Sequence, residues 1–353
     1  MKNNTVMFFG ELPPQIVNGV SISNKLIIEK LMSRFTIYKV MEITPNGKNK
    51  IVNIFSLIKK VYSLSKRVRP KYFYMSLPTS VLGLLKLYIA CLSVNINSKK
   101  TVNILHIHRG DFNKKYNNSI LYRFIFNLTN KLNNKYIALS DNHRNELSGI
   151  ITRDKIYRLT NTIIESGFHK RQSNDEIKFV FLSNYIRDKG ILILLEAFKY
   201  INIHYNTHKK ITLDCYGAFI DHDIKEEILS YNNKYNITIN KSIYKHEKKR
   251  ILEHTDVILL PSNNEGQPLI LIEAMYYKCY VISSAVGFIP EMLPQNYPAL
   301  LATPSVDTII DAINNYLLMS NDDISLITNS LHERYKSTFS NTIHTNSLME
   351  IFN

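Results

Sequence analysis

Apolar residues fall along this chain in two rhythms. Short runs, apolar or alternating and closed by polar or turn-forming residues, stand at TVMFF (5–9), TIYKVMEI (36–43), KYFYMSL (71–77), NILHIH (103–108), KYIALS (135–140) and KIYRL (155–159). Such runs suit strands buried in a parallel sheet. Between them apolar residues recur every three or four positions, which predicts helices from about Ser21 to Met32, over 48–71, from Ser80 to Leu92 and over 112–135. The same alternation resumes with strands at KFVFLSN (178–184), ITLDCYGAF (211–219), DVILLPS (256–262) and YVISS (280–284). A further strand starts near Asn236 and a last one ends near Thr303, with helices over 191–201, 269–278 and from Asp307 onward. Strand and helix in alternation predict parallel, doubly wound sheets. The polar, turn-rich stretch from Leu159 to Lys178 interrupts the rhythm and reads as an interdomain linker.

At 353 residues the chain has the length of two α/β domains, and 45% hydrophobic with 21% charged residues is a globular balance. Three scattered cysteines, Cys91, Cys215 and Cys279, include no CxxC, so neither a disulfide framework nor a zinc site is expected, and a reducing cytosol fits. The apolar run before Gly10 is too short for a signal-peptide core. The stretch from Ser80 to Leu92 contains Lys86 and falls short of the roughly 20 residues of a membrane span, so it reads as a buried helix.

The formal net charge of +15 is unevenly spread. Residues 1–160 hold 26 Lys and Arg against 7 Asp and Glu, while the remainder holds 18 against 22. A field of that size in one half implies an anionic partner: nucleic acid, an anionic membrane surface or a phosphorylated acceptor. In the helix over 48–71, Ile51, Ile54, Phe55, Ile58, Val61, Tyr62 and Leu64 recur at helical spacing among Lys48, Lys50, Lys59, Lys60, Lys66, Arg67, Arg69 and Lys71. That pattern suits a helix lying in a membrane interface, and equally a sheet-covering helix with a solvated basic face. Lys114, Lys115, Arg123, Lys131 and Lys135 add to the same field.

Candidate chemistry gathers where strands end. Asn18-Gly19 precedes a helix, where backbone N–H groups could approach a phosphate, although a plain strand-to-helix turn reads the same way. His106 and His108 stand two apart at a strand end, as ligand-facing or as core residues; no third ligand has metal-site spacing. Lys189-Gly190 opens a helix. Glu265 precedes Pro268, which can sit in the first turn of the next helix, and Glu273 lies inside that helix, which places the two carboxylates within roughly ten ångströms. By themselves these are also a solvated helix carboxylate and a favourable charge at a helix N-terminus.

Together, however, EGxPLxxxEAM (265–275), the strand YVISS and VGFIPE (286–291) resemble the donor-binding signature of glycosyltransferase family 4. The resemblance covers most of the chain, is strongest from Lys178 to Thr303, and implies a GT-B fold: α/β, with two doubly wound Rossmann-like domains facing across a cleft. The domains implied are an acceptor-side domain at 1–165, a nucleotide-sugar-binding domain at 166–335 and a final helix over 336–353 crossing back. It implies that Glu265 contacts hydroxyls of the donor sugar, Glu273 the nucleotide ribose, Lys189 the phosphates, and His108 the sugar from the N-terminal side. Gly19, Gly217, Gly266, Gln267 and Leu269 line the donor. Where the family carries Gly-Arg this chain has Ser183-Asn184, so Asn184 replaces a cation and Arg187 is the nearby substitute.

The activity implied is a retaining transfer of a hexose-type sugar from a UDP- or GDP-linked donor, with no cofactor and no metal, Asp221-His222-Asp223 lying in a surface connection. The acceptor implied is a lipid-diphosphate-linked glycan of a bacterial surface polysaccharide such as O-antigen or capsule. The protein would be cytoplasmic and peripheral on the inner membrane. A nucleic-acid-binding protein is the alternative that charge allows, opposed by the lack of an RNA-binding aromatic motif or recognition-helix module. A non-catalytic family member is the alternative that Asn184 allows.

Overall fold

The computed structural model describes residues 4–42, 50–169, 176–205 and 209–353, with backbone alone for 50–52. Lys48 and the side chains of Lys50 and Ile51 lie outside the described residues, as do 170–175 of the expected linker. The chain divides into two compact units, Met1–Thr162 with Asn341–Asn353, and Ile163–Ser340.

The first unit runs β1 (Thr5–Gly10), α1 (Gly19–Leu31), β2 (Thr36–Met41), α2 (Lys50–Val68), β3 (Tyr72–Ser76), α3 (Val81–Asn97), β4 (Val102–His106), α4 (Phe112–Asn118), α5 (Ile120–Asn130), β5 (Asn134–Ala138), α6 (Asp141–Leu147) and β6 (Ile156–Arg158). The second runs β7 (Glu176–Leu182), α7 (Ile191–His204), β8 (Lys210–Tyr216), α8 (Lys225–Leu229), β9 (Ile237–Asn240), α9 (Lys245–Glu253), β10 (Val257–Leu260), α10 (Leu269–Tyr276), β11 (Tyr280–Ser284), α11 (Ile289–Met292), β12 (Leu300–Leu301), α12 (Val306–Leu318) and α13 (Asn321–Thr338). The last helix, α14 (Asn341–Ile351), belongs to the first unit.

Each unit holds a six-stranded sheet, ordered β2-β1-β3-β4-β5-β6 and β12-β11-β10-β7-β8-β9, with parallel pairing throughout. The strand order reverses between β1 and β3 in one and between β7 and β10 in the other. At such a switch point, the loops leaving two adjacent strands diverge and open a crevice at the carboxyl edge.

Alternation along the strands of the first unit sorts its core into two layers. Met7, Phe9, Phe73 and Met75 pack with Leu57 and Val61 of α2, Leu84 and Leu87 of α3, and Ile125 and Phe126 of α5. Val6, Phe8, Tyr72 and Tyr74 pack on the other face with Ile27 and Leu31 of α1 and Leu348 and Ile351 of α14. The second unit closes on a single core containing Phe179, Phe181, Leu195, Ile258 and Ile282.

Several predicted boundaries shift. The helix expected over 112–135 is two helices, because Ser119 turns extended (φ −132°) and its Oγ accepts from the Tyr122 amide to start α5 afresh. β4 stops at His106, leaving His108 beyond the strand. Pro268 is the cap residue of α10 (ψ 129°) and not in its first turn, and α10 ends at Tyr276 as Lys278 takes a left-handed φ of +54°.

On α14, His344 is buried and its Nδ1 donates to the Thr160 carbonyl at 2.7 Å. Burial holds the imidazole of His344 down at about 3, that of His143 at about 4, and that of His106 well below the usual range. A base whose folded pKa is depressed contributes stability that is present above the unfolded value near 6.5 and is lost as pH falls toward the folded one. The first unit is therefore expected to lose stability from pH 6.5 to 4. In thermal and denaturant unfolding across that window, His344→Gln should flatten the slope by about 1.4 kcal/mol per pH unit.

Candidate functional site

At the β7/β10 switch point, β10 is wholly buried and leads through Pro261 and the buried Ser262 to Glu265. The loop leaving β7 ends in a short 3-10 turn, Arg187–Lys189. There Lys189 Nζ lies 2.7 Å from Glu265 Oε1, and Ser262 Oγ donates to the same oxygen at 2.8 Å. The two charged side chains are 24% and 10% exposed, which sets the pair apart from a solvated surface bridge.

Backbone contacts press these loops together. The Asn263 amide donates to the Asp188 carbonyl at 2.8 Å, and the Phe288 amide to the Gly266 carbonyl at 3.2 Å. Gly190 (φ +72°) and Gly287 (φ +57°) are left-handed, and a Cβ on either would stand 2.0 Å from a carbonyl oxygen, of Pro261 and of Glu265 respectively. Only glycine fits both demands.

Beyond Glu265, Gln267 is buried and Leu269 opens α10, so its amide lies in the turn that has no intrahelical acceptor. Glu273, in the middle of α10, brings Oε2 to 2.6 Å from Lys248 Nζ of α9, with side chains 17% and 21% exposed. The separation is that of an ion pair, but the contact is not aligned as a hydrogen bond. Lys248 is absent from the set read from the sequence. The run KHEKKR carries three lysines and an arginine, and only packing selects the one that meets Glu273.

Asn184 and Gly217 have packing work of their own. Asn184 Oδ1 accepts from the Ala218 amide at 3.3 Å, and a Cβ on Gly217 would stand 2.1 Å from the Ser183 carbonyl. The Arg187 guanidinium pairs with Asp223 at 2.9 Å, both more than half exposed, while its amide donates to Asp221. The D-x-D run of the sequence is thus folded onto Arg187. A pair so exposed is worth little and is readily exchanged.

In the first unit, Asn18 caps α1, its Oδ1 accepting from the Ser21 amide, and a Cβ on Gly19 would meet nothing within 4 Å. At the end of β4, a hydrogen-bond chain settles the His106 tautomer. Asn24 Nδ2 donates to the Glu11 carbonyl, so Asn24 Oδ1 accepts from the Tyr74 and Ser76 hydroxyls at 3.1 and 3.2 Å. With its one proton committed, Tyr74 Oη must accept from His106 Nδ1 at 2.8 Å. His106 Nε2 is left with a lone pair, buried and unpartnered, and the half-buried His108 ring lies against it with centroids 3.7 Å apart and a buried, unpartnered Nε2 of its own. Burial, helped by His143, pulls His108 down to about 3, so at neutral pH it is an uncharged imidazole. Among the described residues no group of three or more His, Cys, Asp or Glu is placed to hold a metal ion.

Residues 164–332 match the family described as "Glycosyl transferases group 1". The capsular polysaccharide biosynthesis glycosyltransferase CapH of Staphylococcus aureus is 27% identical over 146 residues, 41% of this chain, and the match spans only 40% of CapH. Among solved structures, sucrose-phosphate synthase from Thermosynechococcus elongatus superposes with a TM-score of 0.78 at 14% identity, over 99% of this chain and 98% of that one. HepE of Anabaena, in complex with UDP and glucose, superposes at 0.74 and 14% identity over 98% of both chains. At that identity the structural likeness speaks for the fold.

Gly287→Ala should strain the turn that carries the Glu265 carbonyl and cost about 2 kcal/mol or more in denaturant unfolding of the second unit. Gly19→Ala, at an open helix start, should leave stability within about 0.5 kcal/mol.

Proposed function

From a chain whose residues 164–332 form a group 1 glycosyl transferase domain, and which has the GT-B plan of two Rossmann-like domains, we propose a transferase that moves a hexose-type sugar from a nucleotide sugar to a glycan acceptor. The observation that carries this reading is the Lys189–Glu265 pair at the switch point of the second sheet. Its ammonium suits the donor's diphosphate, and its carboxylate suits the sugar's hydroxyls.

Without ligand the two groups neutralise each other. A donor replaces that single contact with two: phosphate oxygens accept from Lys189, and sugar hydroxyls donate to Glu265. A nucleoside diphosphate alone would take Lys189 and leave Glu265 without its counter-charge beside an anion. The site therefore favours the intact nucleotide sugar over the spent nucleotide, which helps product leave.

In the transfer, the bond from the anomeric carbon to the phosphate oxygen breaks, and negative charge grows on the diphosphate. Lys189 and the amides around Gly266, Gln267 and Leu269 meet that charge without a metal, with Arg187 available from its surface pair. The acceptor oxygen attacks from the face the phosphate leaves, and a phosphate oxygen takes the acceptor proton, so configuration is retained. Glu273, beside Lys248, accepts from the ribose hydroxyls. Neutral His108 orients the sugar and is not a nucleophile.

HepE's complex with UDP and glucose supports a UDP-linked donor, and CapH's role supports a surface-polysaccharide acceptor. The excess of Lys and Arg in residues 1–160 supports a lipid-diphosphate-linked acceptor at the cytoplasmic face of an anionic membrane, bound peripherally. Among the described residues no helix is long and apolar enough to cross a membrane.

Glu265→Ala is expected to lower transfer about 100- to 1,000-fold while the protein stays folded by circular dichroism; full activity would refute the assignment. In thermal-shift assays against a panel of nucleotide sugars, the correct one should raise Tm more than its nucleoside diphosphate, and Glu265→Gln should erase that difference.

A further inference from the structure

Helix α5 is apolar on both sides. Tyr122, Ile125, Phe126 and Thr129 are buried toward the sheet. On the opposite side Ile120, Leu121 and Phe124 are 85%, 57% and 59% exposed, at spacings that put all three on one helix face. α3 packs against α5 and α2 against α3, so the three helices form one outer layer. To it α2 adds the exposed Phe55, and α3 the exposed Leu82 and Leu85. On the other side of the same sheet, the exposed large hydrophobics of α1, its capping residue and α14 are Met32, just after α1, and Ile343 of α14. Clustering on one layer is what distinguishes a contact surface from apolar residues scattered singly.

The charge around that layer is predominantly positive, with Glu42 paired to Lys86 of α3. Between Glu42 and Asp141 the sequence holds a single acidic residue, Asp111, against seventeen Lys and Arg. Lys59 on α2, Lys114 and Lys115 on α4, and Lys131 just after α5 are exposed around the apolar face. A second copy of the chain would bring the same positive field against itself, so self-association through this layer is opposed by repulsion. A nucleic acid would satisfy the lysines and leave Ile120 and Leu121 against phosphates. A surface that is anionic at its head groups and hydrocarbon beneath satisfies both.

We propose that the N-terminal half of α5 is a membrane wedge: Ile120, Leu121 and Phe124 enter the acyl boundary of an anionic bilayer while lysines of α2 and α4 engage its head groups. The proposal sharpens the membrane reading above by naming the surface and making attachment apolar as well as ionic. It does not depend on the transfer chemistry.

The test uses the full chain and sedimentation with vesicles of phosphatidylcholine, with and without phosphatidylglycerol, at low salt and in 0.5 M NaCl. Binding is expected only with phosphatidylglycerol and should persist in part at high salt, because screening weakens ionic contacts and not apolar insertion. The triple variant Ile120→Ser, Leu121→Ser, Phe124→Ser should partition at least about tenfold less and lose the salt-resistant fraction. Because the chain has no tryptophan, Phe124→Trp gives a single reporter, whose emission should shift to the blue when such vesicles are added. Equal partitioning of the triple variant, complete release by salt, or an unshifted Trp emission would overturn the wedge. So would a dimer in sedimentation velocity that the triple variant abolishes. The nucleotide-sugar thermal shift, measured on the same variants, reports separately on the donor site. Its absence would count against the proposed function and not against the wedge.

Discussion

Two places where one backbone runs against another govern the site in the second unit. Gly190 meets the Pro261 carbonyl and Gly287 meets the Glu265 carbonyl, each with no space for a side chain. The loops leaving β7, β10 and β11 are thereby held at fixed separation, and Lys189 reaches Glu265 across strands that are neighbours in the sheet but 76 residues apart in sequence. The ion pair is a product of that packing. Its low exposure follows from the same closeness.

The first unit answers with polarity of a different kind. Its switch point carries a neutral chain, Asn24 to Tyr74 to His106, which ends in a lone pair and the adjacent His108 ring. Buried polar groups are normally partnered. Two imidazole nitrogens, on His106 and His108, stand without a protein partner at the carboxyl edge of the sheet, and burial keeps both rings uncharged at neutral pH. Charge in this unit lies at the surface, and exposed lysines of α2 and α4 belong to the same layer as the exposed apolar side chains.

Much of this was legible in order along the chain. Strand and helix rhythm locates the elements because a parallel strand buried on both faces must be apolar and a covering helix must be apolar on one stripe. Glu265, Glu273 and Lys189 stood out through the resemblance of their surroundings to a family signature, since spacing alone also allowed a plain structural reading of each. The misses were local competitions that rhythm does not register. Ser119 offers an oxygen to the Tyr122 amide and so breaks a helix whose apolar spacing continues through it. Pro268 takes the cap and not the first turn, and Lys278 takes a left-handed conformation that ends α10 early.

Sequence alone determined the fold class, the two-unit count, the two carboxylates around the start of α10 and the one-sided charge, because each is written in residues close together in the chain. Tertiary structure alone decided that Lys189 and Lys248 each take a different glutamate, that Arg187 is tied to Asp223, which tautomer His106 holds, and that α5 turns a second apolar face outward. Those facts depend on which loops a parallel crossover brings side by side and which helix faces the neighbouring helices leave uncovered. A pattern along one chain carries no information on either until the sheet order is set.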